Sequence, residues 1–331
     1  MNTRRRMWKL PVAGVLAAAF AVQAQVKVDP NLKTYTAGSG VSGNIKSVGS
    51  DTMNNLMTLW AEKYIAMYPN VRVEIEGKGS ATAPAALVAG AANFGPMSRA
   101  MKSTEEDTFE KKYGHKPTQL RTAIDMLAVY VHKDNPIAQK GLTLPELDAI
   151  FSTTRKGGLK DAITTWGQLG MTGEWASKPI SLYGRNSASG TYGYFKEHAL
   201  FNGDFKDGVK EQPGSSSVVQ GIAGDKFAIG YSGIGYKTAD VAVVPIAAKP
   251  GGEPVPASPD DVGKYPLARF LYTYINHKPG SQLDPLRKEF VKLIFSAQGQ
   301  EVVIKDGFLP VNAKIAAQEL KKIGVDMEKE Y

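Results

Sequence analysis

Ile45-Lys46-Ser47-Val48-Gly49-Ser50-Asp51-Thr52-Met53 is a short β-like run that breaks at a glycine and passes at once into a helix. Met53, Leu56, Met57, Trp60, Tyr64 and Met67 recur at the spacing of an amphipathic helix, and Val71, Val73 and Ile75 then alternate as a strand. A second turn of the same kind follows. Gly77-Lys78-Gly79-Ser80-Ala81-Thr82 precedes a helical segment from Ala85 to Val88, with Pro84 where a first helical turn accepts proline. Strands and helices alternating from Ile45 to about Val131 predict an α/β fold with a parallel sheet.

A third turn, Gly184-Arg185-Asn186-Ser187-Ala188-Ser189-Gly190-Thr191, adds a cation. Tyr192, Phe195 and Ala199 lie at helical spacing, so a helix is expected to start near Ser189. A helix start presents unpaired N–H groups and the positive end of a dipole. With hydroxyl donors and a guanidinium added, the turn suits a tetrahedral oxyanion. The plainer reading is an N-cap beside a surface arginine. Three turns rich in Gly, Ser and Thr favour binding, although any one of these serines is open to reading as a cap.

The chain has 331 residues, 43% hydrophobic and 22% charged, which is globular composition with room for two domains. Arg4, Arg5, Arg6 and Lys9 precede a short apolar run, Val12 to Val22, and Val22-Gln23-Ala24 fits a cleavage site. Residues 1–24 are therefore expected to be a signal peptide, with Gln25 the mature terminus and the periplasm the destination. The run is too short for an ordinary membrane span, which makes an uncleaved anchor the weaker reading. The absence of cysteine excludes disulfides and a lipid-anchored cysteine terminus. Four of the eight net positive charges belong to the signal, which carries no acid, so the mature chain is at about +4. That suits an anionic ligand and is too weak to argue for nucleic acid.

Residues 25–44, polar and Gly/Ser-rich near Gly38 to Gly43, read as a mobile leader. Ala123 to Val131 and Leu267 to Ile275 read as buried strands, and Leu144 to Phe151 as a helix. Glu105, Glu106, Asp107 and Glu110, followed by Lys111 and Lys112, read as a solvated helix face. The two strand-like runs near Tyr130 and Tyr272 bracket a central block. This fits two lobes between which the chain crosses twice, with a ligand in the cleft. A single larger domain has the same pattern.

At these residues the sequence resembles the substrate-binding proteins of bacterial phosphate ABC transporters, from Ile45 to the C-terminal region. GSDTM (Gly49–Met53), GKGSATAP (Gly77–Pro84), FGPMSR (Phe94–Arg99) and GRNSASGT (Gly184–Thr191) carry the likeness. The arginine motif is the most specific, since Arg185, Ser189, Gly190 and Thr191 match the family's R-x-x-x-S-G-T. The resemblance implies a two-lobed periplasmic binding protein fold of type II with a hinge of two crossing strands. The lobes are expected at 25–131 plus 269–331 and at 132–268. It also implies a monomeric receptor, needing no cofactor, that binds inorganic phosphate and delivers it to a membrane permease. The ligand set carried over, with the neighbours in each turn, is Ser50, Asp51, Thr52, Met53, Ser80, Ser98, Arg99, Arg185, Ser189, Gly190 and Thr191.

Two departures bear on selectivity. Many family members place an aspartate where this chain has Arg99, although others carry a similar Ser-Arg pair. A further acid often lies two residues after the motif arginine, where this chain has Ser187. The nearest acid in the matched turns is Asp51. It reads either as the acceptor of the hydrogen phosphate proton or, more plainly, as the N-cap of the Met53 helix. The alternatives to a phosphate receptor are a secreted phosphomonoesterase on the same scaffold and a receptor for sulfate, molybdate or tungstate. His115, His132, His198 and His277 lack metal-ligand spacing, and no cluster of base, nucleophile and metal ligands is visible, so the chain is not expected to be an enzyme.

Overall fold

The computed structural model describes residues 26–330, and the expected signal peptide lies outside them. The chain begins with two strand–helix units: β1 (Gly43–Val48), α1 (Asn54–Met67), β2 (Val71–Glu76) and α2 (Thr82–Ala89). β1 and β2 pair in parallel, Gly43 opposite Val71 and Val48 opposite Glu76. α1 buries Leu56, Met57, Trp60 and Tyr64, the stripe visible in the sequence. Next come β3 (Gly95–Met97), α3 (Ser103–Tyr113) and the long β4 (Thr118–His132). The central block holds α4 (Ile137–Lys140), β5 (Leu142–Thr143), α5 (Leu144–Phe151), β6 (Ser181–Arg185), α6 (Gly190–His198), β7 (Lys210–Gln212) and α7 (Ser215–Ala223). It continues through β8 (Ala228–Gly233), β9 (Val241–Val243) and β10 (Ile246–Ala247). The return strand is β11 (Ala268–Ile275), followed by α8 (Pro285–Ile294), α9 (Ala297–Lys305), α10 (Ala313–Lys321) and α11 (Met327–Glu330).

The main sheet is mixed, where alternation alone predicted a parallel one. Its order is β3-β11-β4-β8-β6-β7, with β9 also on β4. β6 is parallel to both β7 and β8, whereas β4 is antiparallel to β8, β9 and β11. The cause is topological. β4 leaves the first half of the molecule and β11 returns to it, so the two must run in opposite directions when paired. Ala268 opposite Met126 and Ile275 opposite Thr118 mark that pairing.

Buried apolar residues divide accordingly. One core holds Trp60, Tyr64, Phe94, Phe290 and Phe295, and draws on Leu32 to Ala123 and Leu271 to Met327. The second draws on Met126 to Leu267 and includes Phe151, Trp166, Phe195 and Tyr231. Along β4, Leu127, Val129 and Val131 face this second core while Ala128 and Tyr130 join Val218, Val219 and Ile222 on the other face. A continuous apolar run is what a strand buried on both faces needs. The change of core falls between Ala123 and Met126 on β4 and between Leu267 and Leu271 on β11.

The leader is tied down, contrary to its composition. Leu32, Tyr35 and Val41 are buried, Tyr35 Oη donates to Glu289 Oε2 at 2.7 Å, and Ala313 N donates to Asp29 Oδ2 at 2.9 Å. A few well-placed apolar residues outweigh a polar average. Trp60 is equally anchored, its Nε1 donating to Gly299 O at 2.8 Å. Gly299 is needed there, since a Cβ would fall 1.9 Å from Leu293 O.

Candidate anion site

β1 ends at Val48 and α1 begins at Asn54, so Gly49 to Met53 form the connecting turn. Ser50 is buried against β3, its N–H donating to Pro96 O at 2.8 Å, and its hydroxyl has no partner among the described residues. Met53 packs wholly into the first core, which leaves its backbone as the part able to meet a ligand. Ser80 Oγ accepts from Ser98 N at 3.0 Å and lies 3.2 Å from Ser98 Oγ, which joins the second turn to the end of β3.

Arg185 ends β6, and Ser189 caps α6 by accepting from the N–H groups of Thr191 (3.1 Å) and Tyr192 (3.4 Å). This arginine is no surface residue: it is 1% exposed. Nη1 donates to Ser215 Oγ (2.7 Å) and Nη2 to Pro213 O (3.1 Å), while Nε is buried without a partner among the described residues. Burial works against its charged form, and Asp51 is the first group that supports it.

The turns of the two halves touch. Thr52 Oγ1 lies 3.0 Å from Thr191 Oγ1, and Ala81 N donates to Ala188 O at 3.1 Å. Tyr236 Oη donates to the carbonyls of Asp51 (3.2 Å) and Thr52 (3.0 Å). Gly190 meets the serine pair so closely that a Cβ would fall 2.3 Å from Ser80 Oγ and 2.6 Å from Ser98 Oγ. Ser50, Thr52, Ser80, Ser98, Arg185, Ser189, Gly190 and Thr191 thus form one buried group of hydroxyls, helix starts and a guanidinium. Such an arrangement offers an anion many donors and sets no carboxylate among them.

Two residues depart from their expected places. Asp51 does not cap α1, whose N-cap is Met53 with no side-chain bond. Its Oδ2 instead accepts from Ser215 N at 2.8 Å and lies 3.1 Å from Arg185 Nη2, both on the opposite half. Arg99 turns its fork to Glu105, with Nη1–Oε2 at 2.8 Å and Nη2–Oε1 at 2.7 Å. Glu105 is accordingly not part of a solvated face. Burial pushes its carboxyl up, but Arg99 and the Lys102 N–H more than offset this and hold it below the ordinary range.

Sequence reasoning missed Arg269, Asp125, Ser215 and Tyr236. Arg269 Nη2 donates to Thr191 Oγ1 (2.9 Å) and Nη1 to Ser98 O (2.8 Å), while Nε (3.0 Å) and Nη2 (2.7 Å) hold Asp125 Oδ2. A signal was present: Asp125 and Arg269 are the sole charges in the runs Ala123–Val131 and Leu267–Ile275. A charge within a buried strand calls for a partner.

A family model described as PBP superfamily domain matches residues 34–298. An ABC-type phosphate transport receptor from Vibrio cholerae, 22% identical, shares the fold with a TM-score of 0.60 over 81% of this chain and 100% of that one. Fold and site together define a two-lobed binding protein of that superfamily. The phosphate-binding protein PstS of Pseudomonas aeruginosa is 55% identical over 328 residues, covering 98% of this chain and 100% of that protein. PstS of Staphylococcus haemolyticus is 27% identical over 324 residues, covering 96% and 97%. The chain belongs to the PstS family of phosphate-binding proteins.

Proposed function

We propose that this chain captures inorganic phosphate in the periplasm and delivers it to the permease of an ABC transporter. The observation that carries the reading is the convergence of both halves on one buried group: Thr52 meets Thr191, Gly190 meets Ser80 and Ser98, and Arg185, beside Asp51, keeps an Nε–H buried without a partner among the described residues. The relative at 55% identity is a phosphate-binding protein, which supports the same ligand. The candidate ligand shell is Ser50, Thr52, Ser80, Ser98, Arg185, Ser189, Gly190 and Thr191, with the Met53 backbone. Arg99 is engaged by Glu105 and left out of the shell, and Asp51 acts at one remove, through Arg185.

Binding rests on short hydrogen bonds to a dehydrated dianion, and exclusion of water strengthens each of them. The two lobes close about the strands where the core changes over, between Ala123 and Met126 on β4 and between Leu267 and Leu271 on β11. The chain acts as a monomer after cleavage behind Ala24, without lipid anchor, nucleic acid or cofactor, and without catalytic turnover. Calorimetry on phosphate-stripped protein, with sulfate and molybdate as competitors and an aryl-phosphate turnover assay on the same sample, tests this. Tight phosphate binding without turnover is expected. Stronger binding of sulfate, or hydrolysis that follows the protein through purification, would replace the reading with one of its rivals.

A further inference from the structure

We infer that Asp51 is a latch between the lobes: it neutralises Arg185 and caps α7 from the opposite half, and so favours closure before any anion arrives. The inference rests on the proposed two-lobed receptor. α7 begins after Gly214, which has no side chain to cap it. The carboxylate of Asp51 fills that role, accepting from the first N–H of the helix, Ser215 N, at 2.8 Å. The same oxygen lies 3.1 Å from Arg185 Nη2, and Arg185 Nη1 donates to Ser215 Oγ at 2.7 Å. Carboxylate, guanidinium and helix start therefore close a triangle whose acid lies on the β1–α1 turn and whose other two corners lie on β6 and α7.

Arg185 is almost wholly buried, and a buried guanidinium needs a counter-charge. The position two residues beyond it, Ser187, cannot supply one. The counter-charge arrives from the other lobe, so it is in place only when the lobes are together. Gly214 leaves room for it: a Cβ at that position would fall 3.3 Å from Asp51 Oδ1. Oδ1 thus lies against α7's start and Oδ2 already has two donors. This geometry suits a latch better than an acceptor for a ligand proton.

The test needs no ligand. The chain has no cysteine, so Glu62→Cys on α1 and Gln220→Cys on α7, both exposed, give two unique spin-label sites on opposite lobes. Distances are measured by pulsed electron resonance on phosphate-stripped protein, with and without Asp51→Asn. The isosteric asparagine keeps an oxygen for the helix start but loses the charge, and a melting curve checks that it folds. The parent should show a closed population whose ratio to the open one falls about tenfold in the variant, as loss of a charge-assisted contact implies. Raising salt should open the parent and leave the variant unchanged. Identical distance distributions in the two proteins would overturn the latch. So would a variant that opens no further but loses its preference for phosphate over sulfate, since Asp51 would then be the proton acceptor. Failure of phosphate to bind the parent would refute the proposed function and leave these ligand-free distances standing as a test of closure.

Discussion

The three nitrogens of the Arg185 guanidinium are placed differently: Nη1 holds Ser215 Oγ, Nη2 holds Pro213 O and lies against Asp51, and Nε, without a partner among the described residues, is the one the proposed ligand would meet. Arg185→Ala is expected to weaken phosphate binding by about 3 kcal/mol, on the order of a hundredfold. Arg185→Lys should recover only part of this, because a point charge cannot reproduce the fork. Calorimetry giving parental affinity in the alanine variant would remove Arg185 from the site. Gly190 allows a sharper test. Its backbone is the start of an ordinary helix, so alanine is tolerated locally, yet the new Cβ would meet Ser80 Oγ and Ser98 Oγ at 2.3 and 2.6 Å. Gly190→Ala should melt close to the parent while losing at least about tenfold in phosphate affinity, as steric exclusion of a closed arrangement implies. An unchanged dissociation constant would show that the lobes do not close on this turn.

Among the elements, α6 starts at a hydroxyl that caps it and that the proposed shell also assigns to the ligand. Ser189 Oγ accepts from two backbone N–H groups and still has its own proton to donate. Ser189→Ala should cost about 1 kcal/mol of stability as well as affinity, whereas Ser189→Gly should cost only a few tenths because glycine caps nearly as well. If both variants lose the same affinity, the hydroxyl serves the ligand as well as the cap. If affinity follows stability, it only caps. β4 and β11 link the site to the place where the core changes over. The Asp125–Arg269 pair ties the two strands together, and Arg269 also reaches Ser98 O and Thr191 Oγ1, one from each side of the site.

For the molecule as a whole, closure and acid stability are the two measurable consequences. Small-angle scattering should show compaction on adding phosphate to stripped protein. Superimposable curves from a truly empty and a saturated sample would contradict hinged lobes. Where α9 ends, Asp306 receives a hydrogen bond from Asn55 Nδ2, and its backbone carbonyl lies beside Gly235 of the other half. Burial pushes its carboxyl up to about 6, only partly countered by Asn55. The folded pKa lies above the unfolded one, so this group's contribution is fully present below the ordinary carboxylate range near 4 and is lost as pH rises through 6. Asp306→Asn should therefore stabilise the protein by about 1–2 kcal/mol at pH 7.5 and change little at pH 4. Melting temperatures of the two proteins across that range decide it, and a constant difference at every pH would assign the effect to packing.

The alternation of β1, α1, β2 and α2, the buried run of β4, the helix at Leu144–Phe151 and the Ser189 cap were all legible in the sequence. They rest on periodicity and on bonds between residues a few positions apart. The Gly-Ser-Thr turns announced an anion for the same local reason. What the tertiary structure alone decided is who stands opposite whom. The sheet is mixed because β11 returns past β4, and the leader is anchored because Tyr35 finds Glu289, 254 residues away. Asp51, read locally as a cap for its own helix, serves a different helix 164 residues downstream. A carboxylate takes the strongest donors within reach, and a guanidinium with a bare helix start outcompetes its own backbone only once the fold has carried them to it.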